Sequence, residues 1–300
     1  MLPPFEYVRP NTLEEAVSYL VELDSPRILA GGTDVLVQMR AGSSNIKVLV
    51  DIKKIAALKN FEFTQEKGLV IGALVTHREI ECSDLIQKKY PILHDGVSRV
   101  GSVQIRNRAT VGGNLCSALP SADSAAPLLA INARVEIYGP AGKREVPLDK
   151  FFTGLKKTVL KKGEILTRIF VPPYGPNCGG AYIKFTRREA MDLALLGVAV
   201  FLETEADQKT CREARISLAT AAPTPMRAYQ AEAVLKGQSL GTELFNQAAA
   251  AVLNEAKPRS SWRASEEFRR RLIKHLVPRA GMLAWERLKK AAVDYPLEVK

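Results

Sequence analysis

Ala30-Gly-Gly-Thr-Asp-Val-Leu36 follows the short apolar run Arg27-Ile-Leu29, and this junction is the most informative stretch of the chain. The apolar run predicts a strand, and the glycine pair behind it predicts a turn whose backbone carries no Cβ atoms. In such a turn the backbone N–H groups can point at phosphate oxygens, and Thr33 adds a hydroxyl donor. The stretch is therefore a candidate phosphate-binding turn, and it leads into a helix or turn over 35–40.

A second glycine pair lies in Thr110-Val-Gly-Gly-Asn-Leu-Cys116, and Asp123 follows shortly after it. Each pair by itself is typical of an ordinary turn. Neither matches the GxGxxG pattern of a Rossmann dinucleotide site, and the chain has no GxxxxGK[ST] phosphate loop. The residues alone thus leave open whether these segments are plain turns or parts of a phosphate site of another kind.

Helical and strand patterns alternate around these two segments. Thr12 and Glu15 have the spacing of a capping box, which predicts a helix from Leu13 onward. Before the Pro- and Gly-rich segment 171–180, further strands are predicted at 48–52, 69–73 and 134–138, and further helices at 83–100, with a break at Pro91, and at 124–131. Beyond it the pattern predicts strands at 195–203 and 214–221, then helices at 228–236, 241–256 and 265–290. This order predicts an N-terminal part that is α/β or α+β and a C-terminal part that is α+β, in two domains, residues 1–175 and 178–290.

Composition and cysteine spacing narrow the class of protein. The four cysteines are scattered over 300 residues, so we expect neither disulfides nor metal ligands, and a reduced, cytoplasmic protein. No apolar run approaches the roughly 20 residues of a membrane span, and the start has no signal-peptide pattern. The net charge of +11 favours an anionic partner without identifying it; we expect the basic C-terminal residues to form a solvated helix face or a docking surface for an acidic subunit rather than a nucleic-acid site.

The two glycine segments together resemble the two FAD-contacting loops in the flavoprotein subunits of molybdenum hydroxylases. That family includes xanthine dehydrogenase, carbon monoxide dehydrogenase, nicotinate dehydrogenase and 4-hydroxybenzoyl-CoA reductase. Gln104-Ile-Arg-Asn107 is similar to the family's stretch before the second loop, and the resemblance covers nearly the whole chain. Segments 121–127, 188–193 and 258–269 look most like the bacterial xanthine dehydrogenase subunit. The cysteine-rich insertion of 4-hydroxybenzoyl-CoA reductase is missing, which argues against that member.

The resemblance implies a fold and a set of FAD-binding residues. The fold would be a two-lobed FAD-binding domain of the vanillyl-alcohol-oxidase (PCMH) type, followed by a small α+β domain with a three-stranded sheet and a helical bundle. Gly31, Gly32 and Thr33 would hold the pyrophosphate, Asp123 would be an acidic contact, and Leu166 and Lys184 would lie by the flavin. Val100 occupies a position where some relatives have phenylalanine. The implied binding residues are Ile28, Leu29, Ala30, Gly31, Gly32, Thr33, Asp34, Val35, Val100, Thr110, Val111, Gly112, Gly113, Asn114, Asp123, Leu166 and Lys184.

The resemblance also implies a function for the chain. It would carry FAD, take electrons from the [2Fe–2S] clusters of a small subunit and pass them to NAD, while a large subunit holds molybdopterin. A heterotrimer, or a dimer of heterotrimers, would result, with no catalytic residue on this chain. The acceptor stays open among NAD, ferredoxin and oxygen. Alternatives are a flavin subunit of the carbon monoxide or N-heterocycle (nicotinate) dehydrogenase type, a basic nucleic-acid-binding protein, and a flavin-free scaffold.

Overall fold

The first lobe is built on a parallel sheet of three strands. The computed structural model describes residues 2–294, with side chains as far as residue 290. The strands are β1 (Glu6–Val8), β2 (Pro26–Leu29) and β3 (Val48–Asp51), in the order β1-β3-β2, with helices α1 (Leu13–Glu22) and α2 (Val35–Arg40). The Thr12 hydroxyl caps α1 by accepting from the N–H of Glu15 at 3.2 Å, as predicted. The Glu15 carboxylate, however, accepts from the N–H of Asn11 at 2.7 Å, so it binds one residue outside the expected capping box.

The second lobe is built on an antiparallel sheet of five strands. They are β4 (Phe61–Thr64), β5 (Gly68–Gly72), β6 (Arg134–Gly139), β7 (Gly142–Pro147) and β10 (Ile165–Val171), in the order β4-β5-β10-β6-β7. A separate hairpin joins β8 (Phe152–Gly154) to β9 (Lys157–Thr158). Six short helices complete the lobe: α3 (His77–Glu81), α4 (Asp84–Lys89), α5 (Pro91–Val97), α6 (Val103–Arg106), α7 (Val111–Ser117) and α8 (Ala125–Ala130).

The second glycine segment is helical, which corrects the prediction of a loop over 110–114. Thr110 is the N-cap of α7, and its hydroxyl accepts from the N–H of Gly113 at 3.1 Å. Glycine lowers helix propensity, but the cap and the chain after β5 provide acceptors for the first-turn N–H groups, and these contacts outweigh propensity.

The C-terminal region forms a sheet covered by helices on one side. Its strands are β11 (Cys178–Phe185), β12 (Leu196–Thr204), β13 (Cys211–Ala219) and β14 (Met226–Arg227), in that order, and its helices are α9 (Tyr229–Leu235), α10 (Thr242–Glu255) and α11 (Glu266–Asp294). The sheet therefore has four strands rather than the expected three. The extra strand, β14, pairs with Ser217 and Leu218, and at two residues it is too short to produce an alternating pattern.

One buried apolar cluster is shared by the two halves of the chain, and a second lies within the C-terminal region. Tyr182, Ala199, Phe201 and Ala219 of the C-terminal sheet lie in the same apolar cluster as the second lobe. Arg287 of α11 also donates to Asp95 of α5, at 2.6 and 3.1 Å. The chain crosses between the halves at 172–177, between β10 and β11, and the division into domains 1–175 and 178–290 stays a prediction. None of the helices described over residues 2–294 is long and apolar enough to cross a membrane.

Candidate functional site

A cavity of about 940 Å³ is lined by both lobes and by the start of the C-terminal region. This volume is near the upper end of the roughly 300–1,000 Å³ typical of ligand and cofactor sites. Its wall includes both glycine segments, the β8–β9 hairpin and residues 191–193. The two segments that are far apart in sequence are therefore parts of one site.

Most of the residues expected at the site line this cavity; Leu29, Val111 and Lys184 do not. The lining set is Ile28, Ala30, Gly31, Gly32, Thr33, Asp34, Val35, Val100, Thr110, Gly112, Gly113, Asn114, Asp123 and Leu166. Leu29 and Val111 are buried behind the wall and pack in the core. Val100 presents an aliphatic surface to the cavity, so no aromatic ring is available for stacking at that position.

The first glycine segment leaves its backbone donors free. The N–H groups of Gly31, Gly32 and Thr33 donate to no acceptor among residues 2–294, and the Thr33 hydroxyl has no partner there either. Gly32 has φ +83°, a left-handed conformation that strongly favours glycine. The carbonyl of Gly32 then accepts from Leu36 at 3.2 Å and starts α2. This segment can therefore donate several hydrogen bonds to an anion in the cavity.

The second glycine segment uses most of its backbone donors inside the protein. Val111 donates to the Val75 carbonyl, Gly112 to the Ala73 carbonyl, and Gly113 and Asn114 to the side chain and carbonyl of Thr110, at 2.9–3.1 Å, whereas the N–H of Thr110 has no acceptor among residues 2–294. A Cβ on Gly112 would lie 2.6 Å from the Cβ of Ala73. Gly112 therefore serves close packing of α7 on the chain after β5.

Direct contacts join the two segments. Gly31 packs on the carbonyl of Arg108, and a Cβ at position 31 would overlap that oxygen. The hydroxyl of Ser117, at the end of α7, donates to the Asp34 carboxylate at 2.6 Å. His77 reinforces the junction, because its N–H donates to the Ala109 carbonyl and its Nδ1 lies 2.9 Å from the same oxygen. Burial lowers the pKa of His77 to about 4, so the imidazole is neutral at physiological pH.

Asp123 is a buried acid on the cavity wall. Its carboxylate accepts from the Lys184 ammonium at 2.7 Å and from the Tyr182 hydroxyl at 3.0 Å. Burial raises the pKa of Asp123 to about 6, although the Lys184 ammonium opposes the shift. Burial, together with the Asp123 charge, also raises the pKa of Tyr182 well above its usual value.

Lys184 lies behind Asp123 instead of facing the cavity. Its side chain is 4% exposed, and its ammonium also donates to the carbonyls of Arg99 at 2.8 Å and Asp192 at 3.0 Å. It is therefore neither a cavity-lining residue nor an exposed strand lysine. Its ammonium therefore acts on the site by binding the Asp123 carboxylate, which does line the cavity.

Several lining residues were not among those expected to bind the cofactor. Arg27, Ile105, Met191 and Leu193 lie in segments that the sequence singled out, whereas Lys156, Lys157, Lys161 and Lys162 had no signal in the sequence. The lysines lie in a segment that reads as an ordinary charged turn, and only the fold brings that segment to the cavity. Among the described residues no group of three or more His, Cys, Asp or Glu side chains could hold a metal ion.

Two family descriptions match the chain, one for each half. Residues 3–174 match the FAD binding domain in molybdopterin dehydrogenase, and residues 181–283 match the CO dehydrogenase flavoprotein C-terminal domain. The chain is 36% identical over 272 residues to the xanthine dehydrogenase FAD-binding subunit of Escherichia coli O157:H7, covering 90% of this chain and 92% of the relative. It is 32% identical over 291 residues to the carbon monoxide dehydrogenase medium chain of Hydrogenophaga pseudoflava, covering 96% and 99%.

Solved structures share the same fold over nearly all of the chain. The carbon monoxide dehydrogenase from Hydrogenophaga pseudoflava that lacks the Mo-pyranopterin moiety superposes with a TM-score of 0.92 at 33% identity, covering 96% of this chain and 99% of that one. Quinoline 2-oxidoreductase from Pseudomonas putida 86 superposes with a TM-score of 0.88 at 27% identity, covering 97% and 99%. These similarities confirm the expected α+β fold class.

Proposed function

Because this chain belongs to the family of FAD-binding subunits of molybdenum hydroxylases, we propose that it is the electron-transfer subunit of a xanthine dehydrogenase-type enzyme. The chain is thus part of an oxidoreductase. In the proposal, FAD on this chain receives electrons from the [2Fe–2S] clusters of a small subunit and passes them to NAD. The similarity to the xanthine dehydrogenase subunit of Escherichia coli supports this choice within the family.

The free backbone donors at 31–33 are the observation that carries the cofactor assignment. A diphosphate needs several N–H donors, and Gly31, Gly32 and Thr33 offer them on a cavity wall. Hydroxyl groups of a sugar chain need an acceptor, and Asp123 offers a carboxylate in the same cavity. The volume and the donor set fit a dinucleotide such as FAD.

We assign the remaining residues by their position around that cavity. Val100 and Leu166 would form the apolar wall beside the flavin ring, and Asn114 would offer its side-chain amide, since its Oδ1 already accepts from Ser124 at 2.6 Å. Leu29 and Val111 would support the wall from behind.

FAD supplies the hydride and single-electron chemistry when it is bound, and the protein positions and tunes it. Lys184 holds the Asp123 carboxylate in place and balances its charge, since the ammonium is fixed by three oxygens. The Asp123–Lys184 pair therefore presents a carboxylate acceptor of fixed orientation to the cavity. The ammonium offsets most of the carboxylate's negative charge. A proton shared between Asp123 and Tyr182 stays on the phenol, because the pKa of Tyr182 is raised.

The proposed complex contains a large molybdopterin-binding subunit and a small [2Fe–2S] subunit, in a heterotrimer or a dimer of heterotrimers in the cytoplasm. Two features of the chain support a separate donor of electrons. Its four cysteines are free and scattered, and the described residues contain no cluster suited to a metal. The net charge of +11 fits an acidic protein partner. Nucleic-acid binding fits less well, because the family gives no indication of it.

A carbon monoxide dehydrogenase-type flavin subunit is the second candidate. It is favoured by the structural similarity, with a TM-score of 0.92 to the Hydrogenophaga pseudoflava enzyme. An N-heterocycle enzyme of the nicotinate dehydrogenase type belongs to the same class of alternatives, with 30% identity over 244 residues to the Eubacterium barkeri subunit. The large subunit that co-purifies with the chain distinguishes these candidates. A flavin-free scaffold would not need the free donors at 31–33.

The first test is the visible spectrum of the purified chain, with chromatographic identification of the released cofactor. One FAD per chain and no FMN is the expected result. A colourless protein that fails to take up added FAD would contradict the proposal. Anaerobic NADH should then bleach the bound flavin, and an unchanged spectrum would exclude NAD as the acceptor. Co-purification with neither a molybdopterin nor a [2Fe–2S] protein would count against the proposed complex.

A further inference from the structure

Five basic side chains on the cavity wall have no carboxylate partner. Arg27, Lys156, Lys157, Lys161 and Lys162 line the cavity, and none of them forms an ion pair within 4.0 Å among the described residues. Ion pairs do form close by in the sequence: Arg144 binds Glu164 at 2.8 Å. Unpaired cations gathered on one concave wall create a positive potential that favours an anionic ligand.

The β8–β9 hairpin brings two of these lysines to the point where the glycine segments meet. Lys156, at the hairpin tip, has φ +56° and donates its N–H to the Ala118 carbonyl at 3.1 Å. Ala118 is the C-cap of α7, and the preceding residue, Ser117, binds Asp34 of the first glycine segment. The hairpin tip is therefore anchored at the end of α7 that Ser117 joins to Asp34, the residue that follows the free N–H groups of 31–33.

The backbone alone does not balance the charge of a diphosphate at this point. The first segment offers N–H donors, but in the second segment the N–H groups of Val111 to Asn114 are already used inside the protein. The Asp34 carboxylate also lines the cavity there and would repel a phosphate. A positive charge from another element would balance it, and the hairpin, which contacts α7, carries two lysines on the cavity wall.

We propose that Lys156 and Lys157 bind the diphosphate bridge of the dinucleotide, so that the hairpin is the cationic wall of the diphosphate site opposite Gly31–Thr33. This inference rests on the proposed FAD-binding function. In this proposal the hairpin lysines are the reason why the chain binds FAD more tightly than flavins that lack a diphosphate. Lysine binds phosphate as a mobile point charge, which suits an exposed hairpin tip.

The test compares flavin binding by the deflavinated full-length chain and its variants. FAD and riboflavin are titrated by fluorescence quenching at low and raised salt. The double variant Lys156→Gln/Lys157→Gln should bind FAD roughly tenfold or more weakly, because charge-assisted hydrogen bonds are removed, and should bind riboflavin as the wild type does. Its FAD affinity should also depend less on salt. Lys156→Arg/Lys157→Arg should restore most of the FAD affinity.

Lys150→Gln is the matched control, since Lys150 is exposed, lies just before the hairpin and does not line the cavity. It should change neither affinity. Unchanged FAD binding by the glutamine pair would overturn the proposal, and so would an equal loss of FAD and riboflavin binding or a failure of the arginine pair. A wild-type chain that binds no FAD would instead refute the proposed function.

Discussion

Gly31 lies directly against the carbonyl of Arg108, where the Cβ of any other residue would overlap the oxygen. This contact holds the first glycine segment on the stretch that leads into α7. Gly112 makes the equivalent contact on Ala73, where a Cβ would meet the Ala73 carbonyl oxygen at 2.7 Å. These two glycines thus allow backbone to pack on backbone at the floor of the cavity, whereas Gly32 provides the left-handed turn.

Gly31→Ala should therefore disrupt the site from inside the fold. Backbone must shift to remove the overlap, and overpacking of this kind costs roughly 1–3 kcal/mol. We expect a lower melting temperature and loss of FAD from the purified chain. Gly175→Ala is the control, because nothing lies within 4 Å of a Cβ at that position. A Gly31→Ala protein with wild-type stability and FAD content would contradict the packing role.

Lys184→Met should destabilise the chain at neutral pH. The substitution leaves the Asp123 carboxylate buried without its cation, and breaking a buried pair in this way costs about 3–5 kcal/mol. Adding Asp123→Asn should recover much of that loss in the free energy of unfolding. Lys143→Met is the control, because Lys143 is 3.9 Å from Glu136 and 56% exposed, and such pairs contribute about 0–1 kcal/mol. Equal losses in the free energy of unfolding for the two lysine substitutions would show that the buried pair stabilises the chain no more than the exposed pair does.

Most of the residues that the sequence indicated line one cavity, but the sequence did not indicate which of the two glycine segments keeps its N–H donors free. Strand β2, the turn at 31–34 and the acid at 123 follow from local pattern and resemblance, and they meet at one cavity. The two glycine pairs look alike in sequence. They differ because the N–H groups of α7 find acceptors at Val75, Ala73 and Thr110, which are tertiary or capping contacts that a linear pattern does not contain.

The lysines that line the cavity could not be predicted from the sequence for a related reason. Lys156, Lys157, Lys161 and Lys162 read as a solvated charged turn, the commonest setting for lysine. Their place on the cavity depends on the hairpin contacting α7, through Lys156 and Ala118. Lys184 differs from its prediction in another way, because the resemblance places it by the flavin, whereas it does not line the cavity. Its position in a strand does not reveal that its ammonium is buried against Asp123.

The ionisation of Asp123 should be visible in the stability of the chain. Its pKa is raised to about 6 in the folded protein, against about 3.9 in an unfolded chain. The folded state thus binds the proton more tightly, so the carboxyl's contribution to stability is fully present below about pH 4 and is lost as the pH rises to about 6. Urea denaturation gives the free energy of unfolding of the wild type and of Asp123→Asn from pH 4 to 8. The wild-type value minus the Asp123→Asn value should decline as the pH rises over this range. A constant difference would refute the raised pKa.

His77 should make the chain sensitive to acid in the opposite direction. Its pKa is lowered by burial to about 4 in the folded state, against about 6.5 when unfolded. The unfolded state therefore binds the proton first, and stability that is fully present above about pH 6.5 is lost as the pH falls to about 4. His77→Phe keeps a buried ring and cannot titrate, while the Ala109 carbonyl keeps the backbone N–H of residue 77 as its donor.

We expect His77→Phe to lose roughly 1 kcal/mol at pH 7.5 through the missing imidazole hydrogen bond, and to lose stability less steeply than the wild type between pH 6.5 and 4. His275→Gln, at an exposed position of α11, is the control and should follow the wild-type curve. The measurement is the free energy of unfolding in urea at each pH. A His77→Phe curve parallel to that of the wild type would mean that the buried imidazole does not couple the junction of the glycine segments to pH.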